Sequence, residues 1–267
     1  MPVNDSLRLG YGGSAQIYSG GDTPQVLITS GSMEQATTPS YLEMADIPPT
    51  MVSRSRVLHA DGIMSHTGTI AFDMTAAALA MMTTSKFLGR RYQFDIGIHD
   101  GEGHWKMSGC YLTNLVLSGA PSGFITASLS FMSKDVEESG SPVANAYLLT
   151  DTPMGYWWSG NTNVKEWTLA MNQAVEPVYV NENVSAPTPD SPRYLKVGLV
   201  DYSLDVTCYE QDYAHNQIFI ATTSFTLTGI STAKGYSFNG VTDLGMYSHT
   251  FVTAANATTG AGALVIA

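Results

Sequence analysis

One segment of the chain occurs twice, and this repeat constrains the fold more than any other feature. Met33–Tyr41 (MEQATTPSY) aligns with Met171–Tyr179 (MNQAVEPVY), and the two share Met, Gln, Ala, Pro and Tyr at the same spacing. A polar stretch that contains proline follows each of them, over 47–56 and 186–193. A sequence that recurs in this way predicts two copies of one structural unit.

The elements after each repeated segment also correspond. Gly62 in the first copy and Gly198 in the second each precede residues that alternate between apolar and polar, which predicts a half-buried strand. The first copy continues into Thr75–Leu88, which is rich in helix formers, with its first residue as N-cap and Gly89 as C-cap. The second copy has only 210–216 at this place, which is enough for a single helical turn.

A β-hairpin and a closing strand complete each predicted unit. In the first copy, alternating residues up to Asp100-Gly101, a strong hairpin turn signal, are followed by a returning strand over Trp105–Leu112. The other predicted elements are a strand over Ile218–Gly229, a turn over Ala233–Gly235, a strand over Tyr236–Gly240, and the closing strands Phe124–Met132 and Met246–Ala254.

This order of elements predicts a mainly β protein made of two tandem, diverged sandwich- or barrel-like units, each with a flanking helix that is short in the second copy. A length of 267 residues agrees with two units, because single cores stop growing near about 250 residues. We expect a first unit over 1–135, a linker rich in Ser, Gly, Pro and charge over 136–155, a second unit over 156–257, and a flexible Gly-rich tail over 258–267.

Charge and composition indicate self-association. Charged residues make up 13% of the chain, about half of the usual share of about 25%, so we expect copies of the chain to cover much of its surface. The net charge of −11 argues against binding nucleic acid through its phosphates. The N-terminus lacks a signal-peptide pattern and no apolar run approaches about 20 residues, so a soluble, unprocessed chain is expected.

Four residues near the first hairpin could in principle bind a metal. His99, His104 and Cys110 surround the predicted turn, with Asp95 close to them in sequence. Structural zinc sites usually show paired Cys or His at short, fixed spacing, and this group does not. We therefore favour loop histidines without a metal, and we interpret Cys110 and Cys208 as small buried hydrophobic residues.

Other motifs also point away from catalysis. His59 and His66 flank a strand start with Asp61 nearby, and exposed or hydrogen-bonded polar residues explain them best. The glycine-rich Gly10–Ser14 lacks the Lys-Ser/Thr of a phosphate-binding loop, and no Gly-x-Ser-x-Gly occurs. The sequence therefore predicts no catalytic, cofactor-binding or metal-binding residue.

The second copy carries a family resemblance. Trp167–Tyr179, followed by Pro192–Gly198 and Ser203–Tyr209, resembles the tail tube proteins of tailed phages. The resemblance implies β-sandwich units whose sheets join edge to edge into stacked rings around a lumen, with trimeric, pseudo-sixfold rings for a chain of two units. It also implies a virion tail protein assembled in the host cytoplasm, with the tape measure, tail terminator and tail tip as partners, and DNA that passes through without specific binding.

Three alternatives remain at this stage. A distal tail, tail-tip or baseplate hub ring protein uses a related sandwich. A carbohydrate- or receptor-binding β protein could use exposed aromatic residues, and Tyr156-Trp157-Trp158 beside Asn161 and Asn163 is the place for such a platform. A hydrolase with an unfamiliar β-fold is the third, although the sequence shows no paired carboxylates or triad.

Overall fold

A computed structural model describes residues 14–18, 25–42, 57–83, 93–99, 104–121, 123–138, 154–155, 163–179, 191–209, 216–221, 223–228, 231–237, 245–254 and 264–266. These residues form a mainly β protein, as predicted, and they include one α-helix, α1 (Ala76–Thr83). Of the helical turn predicted over 210–216 in the second copy, all but Asn216 lies outside the described residues. The strands of the first half are β1 (Ser14–Tyr18), β2 (Gln25–Leu42), β3 (Val57–Asp73), β4 (Phe94–His99), β5 (His104–Gly119), β6 (Thr126–Ser133) and β7 (Asp135–Glu138). Those of the second half are β8 (Val164–Val178), β9 (Tyr194–Cys208), β10 (Gln217–Ile220), β11 (Thr223–Leu227), β12 (Ser231–Ser237), β13 (Met246–Ala254) and β14 (Leu264–Ile266).

Eight antiparallel strands form one continuous main sheet. Their order is β2-β3-β6-β5-β8-β9-β13-β12. The two halves of the chain meet inside this sheet, where β5 pairs with β8 from Asn114 opposite Asn172 to Gly119 opposite Trp167. The strands of both halves therefore share one hydrogen-bonded layer.

Two smaller groups of strands complete the fold. In the first half, β1 pairs with β2 and β4, and β4 pairs with β5, so that β1, β2, β3, β6, β5 and β4 close a ring. In the second half, β10, β11 and β14 form a separate antiparallel sheet, and β11 contacts β9 and β13 of the main sheet. Each half of the main sheet thus has its own additional strands.

The core follows from the alternation of side chains along the strands. In β6 every second residue is buried, and the residues between them are at most partly covered. Each large side chain buried in this way contributes about 1.5–3 kcal/mol to stability. Buried members of the main sheet are Ile70, Phe72, Leu115, Leu117, Leu129, Phe131, Trp167, Leu169, Met171, Leu204, Val206 and Phe251.

The helix begins where the sequence predicts. Thr75 acts as its N-cap, because its Oγ1 accepts a hydrogen bond of 3.2 Å from the backbone N–H of Ala78. The helix is apolar on nearly all sides and is accordingly packed into the interior. Its buried residues are Ala78, Leu79, Met81 and Met82. The rest of the predicted helix and its C-cap, 84–89, lies outside the described residues.

The predicted first hairpin is confirmed as the antiparallel pair β4 and β5, although β5 extends to Gly119. Its register shifts between Phe94 and Ile96. At this bulge Gly109 has a φ of 65°, a conformation that suits glycine, and its N–H donates a 2.8 Å hydrogen bond to Asp95 Oδ1. The turn residues Asp100 and Gly101 lie outside the described part of the chain.

Two predictions for the second half are wrong. The strand expected over 218–229 is divided into β10 and β11 at Ala221, whose φ of 53° turns the chain. The turn expected over 233–235 lies inside β12, where Lys234 pairs with His249. Gly235 marks a close approach between strands and not a turn, because a Cβ atom there would collide with Ser248 Oγ.

Two short segments near the predicted boundaries are strands. Residues 136–138, at the start of the predicted linker, belong to β7, which pairs with β5. Leu264–Ile266, in the segment predicted as a flexible tail, form β14 and pair with β11. Leu264 and Ile266 are half-buried, which explains why these three residues are a strand. Both predicted closing strands are confirmed, as β6 and β13.

Candidate assembly surface

The face of the main sheet opposite the core carries small, mostly polar side chains. Paired residues in antiparallel strands project to the same side, so the register identifies this face on all eight strands. We call it the polar face. Its central members are Thr67, Thr69 and Ala71 of β3; Thr126, Ser128 and Ser130 of β6; Asn114, Val116 and Ser118 of β5; Thr168, Ala170 and Asn172 of β8; and Ser203, Asp205 and Thr207 of β9.

Cross-strand hydrogen bonds connect the side chains of the polar face. The Asn114 amide donates to Asn172 Oδ1 at 2.6 Å across the junction of the two halves. The other pairs are Ser32 with Thr69 at 2.6 Å, Ser118 with Thr126 at 2.7 Å, and Thr250 with Asp205 at 2.5 Å. These short polar groups satisfy one another close to the backbone at the centre of the face. The longer side chains of Tyr111, Met132 and Glu34 lie on the same face nearer one end of the strands.

The charges that the register places on the polar face of the central strands are carboxylates. They are Glu34, Asp73, Glu166, Asp201 and Asp205. In the extended hairpin beyond the irregular site at 173–175, Glu176 pairs with Lys196, which adds one lysine on this side. Lys165 lies beside this face only at its border, in the bulge at the start of β8, where its ammonium is 3.4 Å from Met246 Sδ. The face therefore has negative potential and, within the described strands, no stripe of Lys or Arg that could bind phosphates.

The main sheet also has two edges. At one end, β12 is the terminal strand and pairs with β13. At the other end, β2 pairs with β1 over Gln25–Leu27 and with β3 from Ile28 onward, so in the described part of the chain its longer segment has a strand partner on one side. Such edges are templates for pairing with another chain.

The two long hairpins, β2 with β3 and β8 with β9, extend beyond the other strands. In the second hairpin, Gln173–Val178 pairs only with β9 among the described strands, and an exposed ion pair joins Glu176 and Lys196 at 3.2 Å. The hydroxyl of Tyr179, whose pKa is raised by burial, donates a 2.6 Å hydrogen bond to the Met64 carbonyl of the first hairpin. This bond connects the extended hairpins of the two halves.

The metal ligands considered from the sequence surround the first hairpin. The backbones of His99 and His104 pair at its end, and their side chains lie outside the described residues, whereas Asp95 accepts a hydrogen bond from the backbone N–H of Gly109. In the described part of the chain, no three His, Cys, Asp or Glu side chains lie close enough to hold a metal ion. The Asp95 side chain therefore stabilises the bulge between β4 and β5.

Both cysteines are buried and unbonded to each other. The Cys110 thiol donates a 3.4 Å hydrogen bond to the Met107 carbonyl. Burial and, to a smaller extent, the charge of Asp95 raise the pKa of the Cys110 thiol far above its ordinary range. A thiol that stays neutral is a poor nucleophile, so Cys110 packs as a small hydrophobic residue in agreement with its interpretation from the sequence.

The expectation that His66 is exposed or hydrogen-bonded is wrong. Its side chain is 2% exposed, and neither ring nitrogen has a hydrogen-bond partner. Burial lowers its pKa from the ordinary 6.5, and the carboxylate of Asp135 partly opposes this shift. Strand alternation places His66 on the core face, but the sequence gives no sign that it lacks partners. The side chains of His59 and Asp61 lie outside the described residues.

Acidification is expected to destabilise the chain through His66. Its native pKa lies below the unfolded value, so the unfolded chain binds more protons and stability is lost as pH falls below about 6.5. One such group contributes a slope of at most about 1.4 kcal/mol per pH unit. Urea unfolding between about pH 7.5 and about pH 5.5 should show a smaller loss for His66→Leu than for the original chain. Equal losses in the two proteins would contradict this prediction.

Of the possible carbohydrate platform, only Asn163 lies in the described residues. It is exposed in a turn before β8, and its carbonyl accepts a 3.1 Å hydrogen bond from the N–H of Tyr209. The aromatic residues 156–158 and Asn161 lie outside the described part.

Among the described residues, no helix is both long and apolar enough to cross a membrane. A scan of the chain against protein-family models finds no match, and a search of curated proteins finds no relative. The function of the chain must therefore be inferred from its polar face, its sheet edges and its sequence repeat.

Proposed function

We propose that this chain is a structural protein of a phage tail, whose copies join through their sheet edges into rings that stack into the tail tube. The observation that carries this proposal is a sheet whose polar face carries small side chains and carboxylates, and which has, in the described part of the chain, an unpaired strand side at β12 and at β2 beyond Leu27. Edge strands of soluble proteins are usually shortened, charged or covered, and closure of a ring covers them by pairing. Mechanical support of a conduit requires no catalytic group.

Strand order supports a duplication. In the first half, four strands lie side by side in the order β2-β3-β6-β5. They are, in this order, the repeated segment, the strand after the glycine, the closing strand and the hairpin strand. The same kinds of segment lie side by side as β8-β9-β13-β12 in the second half. Two copies of one unit are expected to give the same neighbours twice. A ring of three such chains would then contain six similar units.

The polar face suits the inner wall of the tube. Its carboxylates repel the phosphates of DNA, and its short Ser, Thr, Asn and Ala side chains offer few groups that could hold a base. DNA would pass along such a wall without specific binding during genome delivery. In this setting the other partners are the tape measure, the tail terminator and the tail tip, the assembly site is the host cytoplasm, and the final location is the virion tail.

Electron microscopy of the purified chain at high concentration tests this function. Long hollow tubes or stacked rings are expected. Single rings that never stack would favour a tail-tip, distal tail or baseplate hub ring, since such a protein can use the same sheet edges. A chain that stays monomeric at every concentration would contradict both.

Thiol labelling is expected to place the polar face inside the assembly. Thr69→Cys lies on the polar face, whereas Val265→Cys lies on an exposed position of β14 in the separate three-stranded sheet. A maleimide on a long polyethylene glycol chain should label both variants in the free chain but only the Val265 variant in assembled tubes. Equal labelling of both variants in tubes would show that the polar face is outside.

A further inference from the structure

Among the described residues, β12 has a strand partner only on the side of β13, and β2 from Ile28 onward has one only on the side of β3. We propose that β12 of one copy pairs antiparallel with β2 of the next, in a register that repeats the junction of β5 with β8 inside the chain. This inference rests on the proposed function, because it names the strands that make the contact between subunits.

The junction inside the chain serves as the template. In the first half, β5 pairs with β6, and in the second half β12 pairs with β13 in the corresponding place. Likewise β2 pairs with β3 as β8 pairs with β9. The chain thus contains one contact of the type β5 to β8. The strands that could form the next such contact are β12, which ends the main sheet on one side, and β2, which pairs with β1 only over Gln25–Leu27.

The alignment of Gly62 with Gly198 shows which residues of the two halves occupy equivalent positions. If Gly62 corresponds to Gly198, then Thr69 corresponds to Asp205. The strand pairings show which residues lie directly beside each of these two on the neighbouring strands, and we call each such set a row. The row of the first half is Ser32, Thr69, Ser130 and Asn114, and the row of the second half is Thr168, Asp205, Thr250 and Ala233.

The register of β5 with β8 predicts the register of β12 with β2 of the next copy. Inside the chain, Asn114 pairs with Asn172. Asn172 lies four residues after Thr168, which is the β8 member of the second row. Counted from the aligned glycines, the same step pairs Ala233 with the residue four beyond Ser32, which is Ala36. The alignment of Met33 with Met171 would give Glu34 instead, and we use the glycine alignment because the strand pairings extend it across each half. The neighbouring pairs on the polar face are then Gly235 with Glu34 and Ser237 with Ser32.

The side chains at these positions fit this contact. All six residues project from the polar face, so the acidic wall would continue from one copy to the next. Ala233, Gly235 and Ser237 are exposed in the single chain, as are Ser32 and Glu34. No pair brings like charges or two large side chains together. The window Ser32–Ala36 also lies between the register shifts of β2 at 28–30 and those at 38–41, where its ladder with β3 is regular.

One difference from the template predicts a weaker contact. Inside the chain the Trp167 ring covers Gly119, where a Cβ atom would lie 2.9 Å from the indole. In the corresponding row β2 has Gly31 at the place of Trp167. The contact between copies therefore lacks this aromatic cover, which suits subunits that must exist separately before they assemble.

Cysteine cross-linking tests the register. The full-length variant Ala36→Cys/Ala233→Cys, concentrated and oxidised with copper phenanthroline, should give a ladder of covalent multimers on a non-reducing gel. Asn114→Cys/Asn172→Cys, at the template positions, should form its bond within one chain and remain a monomer on the gel. Ala36→Cys/Thr232→Cys is the matched control, because Thr232 neighbours Ala233 but projects to the other face. The native cysteines are buried.

The outcomes separate the register from the function. Cross-linking at least tenfold above the Thr232 control supports the proposed pairing. A ladder from Glu34→Cys/Ala233→Cys in place of the Ala36 pair would overturn the register. Rings or tubes in electron microscopy without a ladder from either pair would overturn the strand contact while the proposed function stands. Mass photometry that shows only monomers of the original chain at high concentration would overturn both.

Discussion

A Gly68→Val variant is expected to lose about 3 kcal/mol of its free energy of unfolding, at the upper end of the usual effect of overpacking a core. Gly68 lies in β3 directly opposite Phe131 of β6. A Cβ atom on Gly68 would lie 2.6 Å from Phe131 Cζ and 3.3 Å from Met107 Sδ. Phe131 is buried and packs edge-on against Phe94, with ring centroids 5.9 Å apart, so the ring has little room to move.

Urea unfolding of the unassembled chain measures this loss. Gly123→Ala is the matched control, because a Cβ atom there has no neighbour within 4 Å, and its stability should change by less than about 1 kcal/mol. The double variant Gly68→Val/Phe131→Leu should recover part of the loss, since a smaller side chain frees the space that valine needs. Equal stability of Gly68→Val and Gly123→Ala would show that the contact between Gly68 and Phe131 is not tight.

The sequence predicted the elements whose pattern is local. Strands such as β6 and β13 alternate regularly because one of their faces is buried, and Thr75 caps α1 through a bond only three residues long. The first hairpin was predictable for the same reason, because its turn signal is adjacent to both strands. In each case the residues that determine the element lie within it or next to it.

Contacts between distant residues were harder to predict. Gly235 was predicted to lie in a turn, because its close contact with Ser248 on the neighbouring strand is not visible in the sequence. The separation of β10 from β11 depends on the backbone of a single alanine, Ala221. His66 reads as an ordinary polar residue until its buried surroundings are seen. A glycine or histidine takes its role from the side chains across the sheet, which the sequence does not specify.

The polar face and the sheet edges also depend on contacts between distant residues. Alternation separates an apolar from a polar face in each strand but does not say which strands lie side by side. The acidic character of the polar face appears only when strand order puts residues as distant as Asp73 and Asp205 in one row. The terminal strand β12 and the segment of β2 beyond Leu27, which has a strand partner only on the side of β3 among the described residues, follow from that same order, and no local pattern marks them as edges.

Like charges at the contact between copies are expected to prevent assembly. In Ala36→Glu/Ala233→Glu, the proposed register puts two carboxylates directly opposite each other, which weakens a strand pair by about 1 kcal/mol, or about fivefold. A closed ring of three copies has three such contacts, so its equilibrium constant should fall about a hundredfold. Mass photometry across a concentration series measures the shift towards monomers.

Ala36→Lys/Ala233→Glu is the matched variant, because it changes the same two positions but sets opposite charges against each other. It should assemble at concentrations at which the double glutamate variant stays monomeric, and added salt should reduce the difference between them. If both variants assemble equally well, Ala36 and Ala233 do not meet between copies. If neither assembles although both are as stable as the original chain, any bulk at these positions blocks the contact, and the charge argument fails while the strand assignment survives.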